Sequence, residues 1–316
     1  MKEHILSGLE TDNLLSFMVL LGLLRTLEMT RPEWFVRAHF DGLPLRSILT
    51  TQIETTEQEV AQAAAAGCVL MSHAYDFGDH ADLNFSGQVA RDLQASRQHH
   101  GIAGELACAL WSDIAVREDG RIDPTPLCAI FGQGHQHFLK RLRNVATGAV
   151  PRALRTTKKP PDLNDPQRIH RALFVPWERE DLTEAFRWDY TEDRRYALRA
   201  TNPSDDAATT EHGANRLAIV GLLSFQSAPV SGARGGAKLA TRGVTRPRRG
   251  RPFLTWPVWN KPATLAAIAA MLDQPELGKE APNLAKLYHL SITQACRVQR
   301  VSVDKYISFS RAETLE

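Results

Sequence analysis

Between Asn13 and Leu27 the chain reads NLLSFMVLLGLLRTL, an apolar run interrupted only by Ser16, Gly22, Arg25 and Thr26. Such a run is a signal peptide, a membrane span or a buried helix. A signal peptide has a basic region before it and a small-residue cleavage site after it. Here Glu3, Glu10 and Asp12 precede the run and no such site follows. A bilayer span takes roughly 20 apolar residues, more than this run offers. A buried helix is therefore expected, with Asp12 or Asn13 as its N-cap. Burying such a helix needs a substantial core, which 316 residues can supply in one large domain or two ordinary ones.

The four cysteines, Cys68, Cys108, Cys128 and Cys296, form no C-x-x-C pair, so neither a zinc ribbon nor a redox pair is suggested. Reduced thiols packed among small or apolar neighbours suit a cytoplasmic protein.

Along the chain, Ile5 and Leu6 read as a short strand, and Asp41-Gly42 as a turn before 43–49. Glu54–Cys68 reads as a helix with acids at its start and Gly67 near its end. Residues 101–111 form a short apolar helix, and Glu118–Arg121 a turn. GQGHQHFLKRLRNV opens with two glycines and continues as a helix with Phe138, Leu142 and Val145 on one face and Lys140, Arg141 and Arg143 on the other. A basic, proline-containing linker follows. Further helices are expected at 168–174, from about 215 toward Phe225 and at 264–272, and strands at 186–200 and at 253–259, the latter broken by Pro257. An edge hairpin is expected at 292–309. The fold class is α+β, mixed helices and antiparallel sheet with a long basic loop. The expected division is an α-rich domain at 1–155 and an α+β domain at 165–316 carrying that loop, or one domain throughout.

The loop is the chain's clearest functional signal. From Ser231 to Pro252 it carries Arg234, Lys238, Arg242, Arg246, Arg248, Arg249 and Arg251 and no acidic residue. The whole chain has a formal net charge of only +2, so positive charge is concentrated locally. Such a segment attracts phosphate chains through counterion release; the plainer alternative is a solvated surface loop. On the expected strand before it, Arg195 and Arg199 share one face, with Asn202 and Asn215 as polar readers nearby. Arg216 completes the rigid part of this site. Lys140, Arg143, Lys158 and Lys159 form a second basic patch.

Other chemistry is weaker. His73, Asp76, Asp79, His80 and Asp82 have the residue types of a divalent-metal site but match no known ligand pattern. His135 and His137 suit a phosphate at a helix start, or packing there, better than a metal pair. Glu192 and Asp193 are read as compensated by Arg194 and Arg195. No nucleophile elbow, Walker A or Rossmann fingerprint occurs, so no catalytic residue, metal or cofactor is assigned.

Taken in order, HILSGLETDNLLSFMVLLGLLRTL, LCAIFGQGHQHFLKRLR, RWDYTEDRRYALRATNPS, GANRLAIVGLLSF and FLTWPVW resemble proteins encoded with type I-G (formerly I-U) CRISPR loci. The resemblance touches both ends and the middle of the chain; about 47–97 contributes nothing to it. It implies a non-catalytic subunit of an RNA-guided surveillance complex of the Cascade type, in the cytoplasm. Such a subunit contacts guide RNA, target DNA or both, alongside other subunits, with the nuclease-helicase as a further candidate partner, while base pairing reads sequence. A metal-dependent nuclease using the His73–Asp82 cluster and an adaptor for the nuclease-helicase are the alternatives.

Overall fold

The computed structural model describes residues 1–316 except 130–136, 152–153, 156–159, 193–208, 233–234 and 304–305. The elements run β1 (Lys2–Ile5), α1 (Leu14–Thr30), β2 (Arg37–Asp41), β3 (Arg46–Thr51), α2 (Glu57–Met71), α3 (Gly87–Arg97), α4 (Ile102–Leu110) and α5 (Phe138–Thr147). They continue α6 (Pro166–Phe174), α7 (His212–Gly221), β4 (Ser227–Ser231), β5 (Ala237–Thr241), β6 (Val244–Thr245), β7 (Phe253–Trp259), α8 (Leu265–Leu272), β8 (Ile292–Val303), β9 (Tyr306–Phe309) and β10 (Glu313–Leu315). This is an α+β fold with antiparallel sheets.

The apolar run forms α1, and Asn13 caps it by accepting from the Leu15 N–H. Leu14, Phe17, Met18, Leu21, Leu24 and Leu27 are almost wholly buried, so the helix is enclosed rather than laid on a surface. Among the described residues no helix is long and apolar enough to cross a membrane. Helix α1 packs most extensively on α7, and glycines set how close the two come. A Cβ on Gly22 would collide with the Leu217 carbonyl, and one on Gly221 with the Met18 carbonyl. One apolar core runs from Leu6 to Phe309. Its members come from both sides of residues 155–165, between the two expected domains.

Three antiparallel sheets border this core, with strand orders β1-β3-β2, β10-β8-β7-β6 with β9 also on β8, and β4-β5. Pro257 does not break β7. The Thr255 N–H points to Gly243 on the β6 side, and Pro257, two residues on, points the same way, beyond the end of β6. Its missing donor therefore costs the ladder nothing. The expected edge hairpin at 292–309 is instead built on a central strand, because β8 pairs with β7, β9 and β10. The expected strand at 186–200 is not formed over its described part, where Tyr190–Glu192 makes one 3-10 turn. Its remainder, with the expected turn at 202–205, lies outside the described residues.

Candidate nucleic-acid interface

The expected loop from Ser231 to Pro252 is strand in part, at Ser231, Ala237–Thr241 and Val244–Thr245. β4 and β5 pair from Ser227↔Thr241 to Ser231↔Ala237, and Gly235 and Gly236 turn the hairpin with φ of 83° and 74°. Leu239 and Thr241 face inward and are buried, whereas Lys238 is exposed. Two arginines fasten this arm to the body. Arg242 donates from Nε to Asp273 at 2.8 Å and from Nη1 to the Ser224 carbonyl at 3.0 Å. Arg246 donates from Nη1 to Asp123 Oδ2 at 2.9 Å, the oxygen that also receives the Leu239 N–H.

Beyond these anchors the chain bends through 246–252 before entering β7, with Gly250 at φ 99°. Arg248, Arg249 and Arg251 are exposed there, and among the described residues none has a carboxylate partner. Arg234 lies outside the described residues. A further cation beneath the bend was not anticipated from sequence. Arg300 on β8 donates to the carbonyls of Pro126 and Cys128, its backbone N–H holds the Pro252 carbonyl, and Arg246 lies within electrostatic reach. Burial lowers its pKa from the ordinary value, with the Arg246 charge a smaller contribution. The alternating R-V-Q-R of 297–300 marked it as strand but gave no sign of its neighbours.

The second patch is partly structural. Lys140 on α5 is exposed, but Arg143 bonds the Gly78 carbonyl at 3.3 Å and lies 3.6 Å from Asp76. Lys158 and Lys159 lie outside the described residues. The acid–histidine cluster serves the start of α5: Asp82 accepts from the Phe138 N–H at 3.0 Å and pairs with His137 Nδ1 at 2.9 Å. Asp76 accepts from the Gly78 N–H, and the His80 ring packs edge-on against Phe85. Among the described residues no group of three or more ligating side chains converges to hold a metal. His135 lies outside them.

The expected rigid arginine platform needs correction at α7. Arg195, Arg199 and Asn202 lie outside the described residues. Arg216 is fully buried (0% exposed) and presents nothing to solvent. Its Nη1 makes one long bond of 3.5 Å to the Leu163 carbonyl, while Nε and Nη2 have no partner among the described residues. Asn215 is also internal, donating to Thr210 Oγ1 at 2.8 Å and to the Glu211 carbonyl. The cause is that α7 is surrounded by α1, α2, α5 and α6. Beside it, burial, reinforced by the Arg216 charge, pushes the His212 imidazole down to about 3. Arg194 and Arg195, expected to compensate Glu192, lie outside the described residues; Glu192 accepts from Thr210 Oγ1 and the Arg187 N–H, and burial, with Asp189 adding to it, raises its carboxyl to about 7.

The arrangement that survives is an anchored arm ending in three solvent-facing guanidiniums, suited to tracking a polyanion by charge rather than enclosing a small ligand. No family model, curated protein or solved structure matches this chain.

Proposed function

We propose that this chain is a non-catalytic, nucleic-acid-binding subunit of a type I CRISPR surveillance complex, acting in the cytoplasm and touching guide RNA or target DNA through its basic arm. The observation that carries the binding half is the contrast within the arm. Arg242 and Arg246 are spent on Asp273 and Asp123, whereas Arg248, Arg249 and Arg251 face solvent with no described carboxylate partner. Three uncompensated guanidiniums on one bend, with Lys238 on the hairpin behind them, fit a chain of phosphates. The setting in a surveillance complex, with its other subunits, rests on the resemblance of the five motifs.

Arg248, Arg249 and Arg251 hold no described part of the fold, so replacing all three with Ala is expected to leave the melting temperature unchanged. The same variant weakens binding to labelled duplex and single-stranded oligonucleotides at least tenfold at low salt, as read by fluorescence anisotropy. Wild-type affinity in a folded triple variant overturns the proposal.

A further inference from the structure

Phe35 sits in a backbone conformation that bulky residues avoid. It closes the 3-10 turn Pro32–Trp34 with φ 45° and ψ 51°, in the left-handed region where glycine or asparagine is usual. Its neighbours explain how it is held. Trp34 and Val36 are buried on either side, and the Trp34 carbonyl receives the Gln52 N–H, so the residue between them is turned outward. The residue is 63% exposed. A strained aromatic displayed to solvent does nothing for the core, which makes the position a candidate for binding.

Two clefts meet at this ring. One, of about 260 Å³, is lined by Met1, Phe35, Arg37, Thr50, Thr51 and Gln52; the other, of about 200 Å³, lies on the side of Arg31 and Glu28. Both are smaller than the roughly 300–1,000 Å³ of ordinary small-molecule pockets. The larger contains no carboxylate. Its threonine hydroxyls are used internally, Thr50 on the Arg37 carbonyl and Thr51 on the Ile53 carbonyl. That leaves the exposed Arg37 guanidinium and Gln52 amide, neither with a described side-chain partner, beside an aromatic face. An aromatic platform, a cation and an amide with both donor and acceptor are what one unpaired nucleotide requires.

We propose that Phe35, Arg37 and Gln52 form a binding site for one nucleotide of a single strand, the base stacked on Phe35, its edge read by Gln52 and its phosphate held by Arg37. This rests on the nucleic-acid reading but uses a different face, at the edge of the β1-β3-β2 sheet rather than on the arm.

The test compares wild type with Phe35→Gly, Arg37→Gln and the arm triple variant on single strands of about 15 nucleotides, one base of which is 2-aminopurine. Glycine relieves the left-handed strain, so Phe35→Gly is expected to melt no lower than wild type. It should nevertheless bind single strands about 5- to 100-fold more weakly, with the salt slope unchanged and 2-aminopurine no longer quenched. Arg37→Gln should lower the slope by about one. If Phe35→Gly binds within about twofold of wild type while the arm variant is impaired, this site is overturned and the arm stands. Loss of a co-purifying protein with single-strand binding intact also overturns it. If wild type binds no nucleic acid, both proposals fall.

Discussion

Arg216 is the residue whose surroundings carry the sharpest energetic consequence. Its guanidinium is sealed from water and, among the described residues, two of its nitrogens are unpaired. An uncompensated buried charge costs several kcal/mol, and an apolar side chain of similar length removes that cost. Arg216→Met is accordingly expected to raise stability by at least about 1 kcal/mol in denaturant titration, leaving the arm's binding intact. Destabilisation would show that the charge is compensated in a way this account lacks. The neighbouring His212 gives a pH signature. Held at about 3 against an ordinary 6.5, it stays neutral in the folded chain while the unfolded chain takes up a proton below 6.5. Its contribution is complete above that pH and is lost as pH falls toward 3. Glu192, raised from 4.5 to about 7, acts oppositely, costing stability as pH rises through that window. The two oppose one another between their ordinary values, and of the two only His212 acts below 4.5. His212→Gln should flatten that acid limb, and an unaltered limb would contradict the assignment. Neither burial was legible locally: GANRLAIVG shows an arginine and an asparagine on a helix, and only the helices around α7 decide that both point inward.

At the scale of elements, the Asn13 cap and the helical periodicities were readable because their causes are local, whereas the cap of α2 was not named, the helix being expected from Glu54 and starting at Glu57. The Thr56–Glu59 box at the start of α2 is complete in the structure: the Thr56 hydroxyl receives the Glu59 N–H, and the Glu59 carboxylate receives the Thr56 N–H at 2.7 Å. Asp82 does similar work for α5 from a distant loop. Asp82→Ala should therefore lower stability by about 1 kcal/mol. If the cluster held manganese, adding the ion would raise wild-type melting and not the variant's. No such difference is expected, since the Asp82 oxygens are occupied by Phe138 and His137. Strand partners were not legible: Pro257 looked like a break and β8 like an edge, yet which neighbour each backbone group meets depends on residues far away in the chain. Part of the basic arm is strand for a related reason. Its glycines and arginines suggested an irregular loop, while Leu239 and Thr241, alternating inward, were enough to hold β5 as a strand.

On the scale of the whole molecule, the α1–α7 contact joins halves of the sequence that otherwise look separable. Gly22→Ala or Gly221→Ala should each cost about 1–3 kcal/mol by forcing the two helices apart, and the unfolding transition should remain single. Two separate transitions would instead favour independent halves. With the core shared, a small net charge is compatible with a strongly local field: acids neutralise the anchors of the arm and leave its outer bend positive. That distribution is the central claim, and the salt dependence of binding tests it most directly. The logarithm of affinity plotted against the logarithm of salt should be linear for wild type, and the slope should be shallower by about two to three for the Arg248, Arg249 and Arg251 triple alanine variant. Equal slopes for the two proteins, or affinity indifferent to salt, would contradict it.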